Sequence, residues 1–197
     1  DSQPTPTTSQ EALLDALEQV ARRWMAEGEV AGVGFGVPSR IDQVAHRVVG
    51  SVHVPLRGVD LAGEMTSRLG VPSVVDNDGN VAAVAEWRCG AGRGVRDLVM
   101  LTLGTGIGGG LVLDGKPYRG GRGAGAELGH MVVQVDGPAC GAGCAGHGHY
   151  EALASGRAAD AAARELGLVD GGELVERGRS GDEAALEALT RIGRVVG

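Results

Sequence analysis

Leu103-Gly104-Thr105-Gly106-Ile107-Gly108-Gly109-Gly110-Leu111-Val112-Leu113-Asp114-Gly115 is the stretch on which the fold assignment turns. Gly104, Gly106 and Gly109 satisfy a G-x-G-x-x-G spacing. In a dinucleotide site that run must open a helix. Here it opens Leu111-Val112-Leu113, which alternates like a strand, so it reads as a glycine-rich hairpin. No Gly-Lys-Ser/Thr follows, which excludes a P-loop. Bare hairpin amides with the Thr105 hydroxyl can still cradle phosphate oxygens. Glycines placed only for tight packing are the competing explanation.

Outward from the hairpin, residues 98–103 and 110–113 form its strands. Upstream, Leu13, Leu14, Leu17, Val20, Ala21 and Trp24 recur at helical spacing within residues 11–27, with Ser9 as cap and Gly28 as stop. Residues 30–37 predict a buried strand closed by Pro38-Ser39, 60–69 a short helix ending at Gly70, 71–75 a second buried strand and 81–88 a helix. Residues 90–94 read as a hinge. Downstream, 131–135 predict a strand, and 152–167 and 182–196 predict Ala-rich helices. Strands alternating with helices, then a hairpin-rich portion, predict α/β architecture in two lobes, residues 1–92 and 93–197. No internal repeat is visible.

The 197 residues are 43% hydrophobic but only 3% aromatic, so the core must be built from Ala, Val and Leu. The 36 glycines carry no collagen period and alternate with apolar runs, which predicts tight turns instead of disorder. A net charge of -7 argues against nucleic acid or an anionic membrane as main partner. No apolar run approaches the roughly 20 residues needed to span a bilayer. The chain starts at Asp1-Ser2-Gln3-Pro4 and stops within a helical pattern at Arg194-Val195-Val196-Gly197, and is expected to be a piece of something longer.

Two further stretches carry chemistry. Asp76-Asn77-Asp78-Gly79-Asn80 follows a strand and precedes a helix. As a calcium loop it fails, because its Gly comes too early and Trp87 stands where the closing Glu should be. As a hairpin turn it fails because a helix follows. A strand-to-helix corner presents side chains and amides to ligands at the carboxyl edge of a sheet, and two acids with an amide there point to catalysis or hydroxyl binding. Residues 127–151 place His130, Cys140, Cys144 and His149 between Glu127 and Glu151. Thiolates and imidazoles at such spacing suit tetrahedral zinc, although a disulfide or two reduced thiols with loop histidines fit equally, and His147 competes with His149. Cys89 lies far away in a predicted helix, so no disulfide framework is expected.

Together these stretches resemble the ROK family of repressors and sugar kinases, its bacterial glucokinases in particular. The matching elements are Asn77-Asp78-Gly79-Asn80, the run 103–110, Gly125-Ala126-Glu127-Leu128-Gly129-His130, and the cysteine loop ending in Glu151. The resemblance implies an actin-like ATPase (ribonuclease H-like) two-lobed sugar kinase fold, incomplete at both ends. It implies Asp78 as base facing the sugar's phosphorylated hydroxyl, and Asn77, Glu127, His130 and Glu151 holding the others. Gly104, Thr105 and Gly106 would contact ATP phosphates. It implies structural Zn2+ on His130, Cys140, Cys144 and a fourth position that is here His149, and Mg2+ with ATP.

Three departures accompany it. Cys140 and Cys144 stand further apart than the family's pair. Ser39 replaces the usual Gly after Pro38, where backbone approaches sugar. The amino-terminal Asp-x-Gly-Gly-Thr phosphate loop and the carboxyl-terminal segment over adenosine have no counterpart in the sequence, so the isolated chain is not expected to turn over. The implied reaction is ATP-dependent phosphorylation of a hexose, most simply glucose to glucose 6-phosphate, with N-acetylmannosamine or fructose as alternatives. A sugar-responsive repressor is the competing class, and nucleic acid is a partner only if a helix-turn-helix precedes the chain. The expected protein is a cytoplasmic homo-oligomer.

Overall fold

Short polar side chains cap the helices and so set where they begin. In the computed structural model, which describes residues 2–51, 53–141 and 143–197, Ser9 Oγ accepts from the Ala12 amide at 3.1 Å and opens α1 (Gln10–Met25). Strand β1 (Val33–Val37) follows, then β2 (Arg40–Asp42) and β3 (Arg47–Gly50) as a hairpin. Asp60 caps α2 (Leu61–Leu69), and Gly70 ends it in the left-handed region. Strand β4 (Ser73–Asn77) runs directly into α3 (Asp78–Cys89). Next come β5 (Leu98–Leu103), β6 (Ile107–Leu113) and β7 (Lys116–Tyr118), adjacent in one sheet. A 3₁₀ turn (Leu128–His130) precedes β8 (Ala139–Gly141) and β9 (Cys144–His147). Helices α4 (Tyr150–Ala154), α5 (Gly156–Glu165), α6 (Gly171–Arg179) and α7 (Glu183–Val196) complete the chain.

The chain divides into two compact units, Asp1–Val99 with Gly110–Ala126, and Met100–Gly109 with Glu127–Gly197. In the first unit β1 and β4 are parallel, in register from Val33↔Ser73 to Val37↔Asn77, so both strands end level. Their core is aliphatic: Leu13, Leu14, Val37, Val48, Leu56, Leu61, Met65 and Leu69. Helix α3 lies so close to β6 that a Cβ on Gly110 would overlap Ala83 and crowd the Gly79 carbonyl. Helices α1 and α2 are stitched by Arg68, which bonds Asp15 and Glu64 at 2.8 Å each and Glu11 at 2.5 Å.

The second unit packs α5, α6 and α7 through Ala162, Ala163, Leu174, Ala185 and Ala188, small residues that let helices approach closely. A separate cluster of Ile107, Tyr150 and Ala154 seats the start of β6 against α4.

The structure forms elements where the sequence predicted none, namely β2, β3, β7, β8, β9 and α6, and it overturns two predicted elements. Residues 131–135 are no strand: Val132 makes a single bridge with His149, and the Val133 and Gln134 amides both donate to the Gly148 carbonyl, at 2.9 and 3.2 Å. The alternating valines are exposed because the segment wraps Gly148 and has no neighbouring strand among the described residues. Gly148 is obligatory there, with φ 62° and a Cβ that would collide with the Gln134 carbonyl. The predicted helix over 152–167 breaks at Ser155, whose extended backbone ends α4 and whose hydroxyl caps α5. Among the described residues no helix is long and apolar enough to cross a membrane.

Arg68→Met leaves Glu11, Asp15, Glu18 and Glu64 facing one another, and is expected to lower the melting temperature by about 2–4 °C at low salt, less in 1 M salt. Hydrogen bonding to Arg22 depresses the Glu18 carboxyl below its ordinary 4.5. A depressed acid stabilises above its unfolded pKa, so this contribution is complete at neutral pH and disappears as acid protonates folded Glu18. Scanning calorimetry from pH 7 to 3 checks both statements.

Candidate functional site

At the carboxyl edge of β1 and β4 the first unit gathers Pro38-Ser39 and Asp76-Asn77-Asp78. Asn77 caps α3, its Oδ1 accepting from the Asn80 amide at 3.2 Å, while its Nδ2 donates to the Ser39 carbonyl at 3.4 Å. Asp76 points inward with a side chain only 14% exposed. Its Oδ1 takes the Asn77 amide at 2.9 Å and the Asn80 Nδ2 at 3.3 Å, and its Oδ2 takes Arg119 Nε and Nη2, both at 2.6 Å. Asp78 differs from its neighbour. It is exposed in the first turn of α3, its carboxylate bonds only the adjacent Gly79 amide at 2.9 Å, and among the described residues it has no cation partner. One acid of the corner is neutralised and the other is left free to act.

Ser39 is buried, yet its Oγ has no hydrogen-bond partner among the described residues. An unmade bond of this kind costs about 1–3 kcal/mol in the empty protein.

In the second unit the turn Gly104-Thr105-Gly106 is clamped from one side. The Gly156 and Arg157 amides, the first free donors of α5, bond the Gly104 and Thr105 carbonyls at 2.8 and 3.2 Å. Glu151 Oε2 accepts the Ile107 amide at 2.8 Å, and Oε1 pairs with the Arg157 guanidinium. The Gly104 amide is also spent, on the Gly106 carbonyl at 3.0 Å, so what the turn offers a ligand is the Thr105 and Gly106 N–H groups and the Thr105 hydroxyl.

The same unit collects His130, Cys140, Cys144 and His149, whose ligand atoms all lie within 4.8 Å of one another. His130 Nδ1 is 3.6 Å from Cys140 Sγ, His149 Nδ1 is 3.6 Å from Cys144 Sγ, and the two Nδ1 atoms are 3.2 Å apart. All three cysteines are free. Of the two competing histidines His149 belongs to the cluster, and exposed His147 on β9 is outside it. Two thiols and two imidazoles so disposed can hold one tetrahedral metal ion. Burial, then the neighbouring Cys144, push the Cys140 thiol up to about 11.

Of the residues expected from sequence, Ser39, Asn77 and Asp78 therefore meet in the first unit. Gly104, Thr105, Gly106 and Glu151 meet in the second, as do the four metal-ligand candidates. Glu127 opens the 3₁₀ turn, exposed, its carbonyl accepting the His130 amide at 3.1 Å. Sequence reasoning missed Arg119 and Arg157. The only signal for Arg157 was a cation in the first turn of a helix, where the macrodipole disfavours it.

The ROK family description matches the chain over residues 1–197. Glucokinase from Streptomyces coelicolor is 38% identical over 155 residues, covering 79% of this chain and 48% of that protein. N-acetylmannosamine kinase from Escherichia coli O157:H7 is 35% identical over 199 residues, covering 98% of this chain and 66% of that protein. The crystal structure of ROK hexokinase from Thermus thermophilus is similar with TM-score 0.85 and 36% identity, over 98% of this chain and 65% of that one. The chain thus spans about half to two thirds of the proteins it matches.

Arg119→Met removes the counter-charge of a mostly buried carboxylate. It is expected to destabilise the first unit by about 1–2 kcal/mol, less than a fully buried pair because Arg119 is 32% exposed. Adding Asp76→Asn should restore part of the loss, since no uncompensated charge then remains. Urea titration of both variants measures it.

Proposed function

The chain belongs to the ROK family and has the actin-like ATPase fold of its sugar kinases; from that premise we propose that it supplies the hexose side, and part of the nucleotide side, of an ATP-dependent sugar kinase. Glucose is the proposed acceptor and glucose 6-phosphate the product. Asp78 is the proposed base. Asn77, Ser39, Glu127, His130 and Glu151 are assigned to the remaining hydroxyls, and Gly104, Thr105 and Gly106 to the phosphates.

The observation that supports this best is the asymmetry of the corner. Asp76 is spent on Arg119, while Asp78, two residues on, carries an unpaired carboxylate. Phosphoryl transfer goes through a loose transition state in which positioning and charge neutralisation do most of the work. As the sugar oxygen bonds to the γ-phosphorus its proton passes to Asp78, and the β,γ-bridging oxygen leaves with ADP. Carboxylates suit sugar recognition because each accepts from two adjacent hydroxyls. A sugar lacking one would leave a buried acceptor unpaired, at about 1–3 kcal/mol.

The donor set of two thiols and two imidazoles fits Zn2+, proposed as a structural ion; when bound it supplies a fixed tetrahedral anchor. His130 Nδ1 faces the cluster, which leaves Nε2 for a hydroxyl. Mg2+ is proposed to enter with ATP. Three free cysteines fit a reducing compartment, so the cytoplasm is the proposed location and a homo-oligomer the proposed state.

In the complete protein, Asp78→Asn is expected to reduce kcat by about 10²–10⁴-fold while glucose affinity stays within about threefold. Coupled ADP release with glucose, N-acetylmannosamine and fructose reads the rate and ranks the acceptors, and activity within tenfold of wild type removes Asp78 from its role. Metal-free protein is expected to bind one equivalent of Zn2+ and to melt higher with it, by about 2.7 kcal/mol at a hundredfold excess over Kd. Because Cys140 is protonated at neutral pH and must release its proton, apparent affinity rises with pH, about tenfold per unit for each proton displaced. His149→Ala should abolish binding and His147→Ala should not; the reverse result reassigns the fourth ligand.

A further inference from the structure

A kinase must collect a polyanionic phosphate chain, yet this sequence carries a net charge of -7. The glycine turn assigned to the phosphates has one cation beside it. The Arg157 guanidinium lies 3.8 Å from where a Cβ on Gly106 would stand, and it pairs with Glu151, whose other oxygen holds the Ile107 amide at 2.8 Å. The pair is graded by depth: the Glu151 side chain is 12% exposed and that of Arg157 is 32%. Glu151 Oε2 crowds the same Gly106 point more closely than the guanidinium does, so it is the cation's wider exposure, and not its proximity, that leaves it the more accessible of the two to an anion. A guanidinium carries five N–H donors in a planar fork, so one carboxylate oxygen leaves donors to spare. The position is also costly by itself, since a cation in the first turn of α5 opposes the helix dipole. Its main-chain N–H, bonded to the Thr105 carbonyl at 3.2 Å, fixes the side chain's origin against the same turn.

We propose that Arg157 is a phosphate-binding residue, which engages the phosphate chain of the donor at the Gly104–Gly106 turn and is aimed there by its ion pair with Glu151. The inference rests on the kinase reading above and adds a group to its nucleotide side. It makes Glu151 serve both substrates with opposite sign. The acid accepts sugar hydroxyls, and it also masks part of the charge that attracts phosphate.

The test is calorimetric binding of inorganic tripolyphosphate, Mg-ATP and glucose to the complete protein and three variants, with melting curves to confirm folding. Arg157→Met should weaken tripolyphosphate and ATP at least tenfold, Arg157→Lys by less because charge is kept, and Glu151→Gln should tighten both phosphate ligands while weakening glucose. Should Arg157→Met not fold, Arg157→Gln replaces it. If phosphate binding by the folded Arg157 variant stays within twofold of wild type, the assignment is overturned. It is equally overturned if Arg157→Met weakens glucose and leaves both phosphate ligands unaffected, which marks Arg157 as a brace for Glu151 alone. Loss of ATP binding with tripolyphosphate unaffected would mean the nucleoside is being read, and also overturns it. A wild-type protein that binds neither ATP nor glucose fails the kinase reading itself, a result distinct from all of these.

Discussion

The carboxylate of Glu151 is the contact on which the second unit's site depends. One oxygen holds the first amide of β6, the other holds the guanidinium of α5, and Cys140 Sγ stands 4.0 Å from it. Three segments distant in sequence are thereby tied at one nearly buried group: the glycine turn, the cysteine loop and the start of α5. Such ties matter because the loop has little apolar surface of its own. Val132, Val133 and Val135 are exposed, and among the loop's described residues the buried side chain at the cluster is Cys140. Where hydrophobic burial is thin, hydrogen bonds and ion pairs set the geometry, and a metal ion would add the one strong link available to four soft donors.

The first unit solves the same problem differently. Its parallel strands end level, so the register Val37↔Asn77 by itself brings Ser39 beside the capping amide of Asn77. The corner is then made rigid by spending Asp76 on Arg119 and Asn80. What remains unspent is informative. Among the described residues Asp78 has no cation partner and Ser39 Oγ no hydrogen-bond partner, and the second, being buried, costs stability that a bond would recover. Groups left in this state are where a ligand gains most, because it supplies bonds the empty protein does not have.

Much of the fold was legible because its signals are local. Ser9, Asp60 and Gly70 marked helix ends, the alternation after Gly110 marked a strand, and the glycine run was a hairpin as its surroundings required. The reasons for individual glycines were not legible: Gly110 is dictated by Ala83, twenty-seven residues away, and Gly148 by Gln134. The false strand over 131–135 has the right alternation but no partner, and partners are tertiary facts. Ser155 sits in an Ala-rich helical pattern and breaks it by capping the next helix. The His130, Cys140, Cys144 and His149 cluster was visible as spacing, with the choice of His149 over His147 set by the loop's closure. Arg119 and Arg157 were invisible because an arginine in sequence looks like a solvated surface charge until its carboxylate is placed beside it.

Under the proposed function, charge explains why the two substrates would need such different chemistry from one acidic chain. A hexose is neutral, so the acids proposed to bind it can each accept from its hydroxyls without repulsion. A phosphate chain repels those same acids, and in a chain of net charge -7 the repulsion extends over a Debye length of about 8 Å at physiological salt. Glycine-turn amides can offset part of it, since they are dipoles and cannot cancel a full charge. A guanidinium can. In the proposed assignment, pairing a more exposed guanidinium with a nearly buried acid lets one ion pair serve both ligands, the cation facing phosphate and the acid facing sugar hydroxyls.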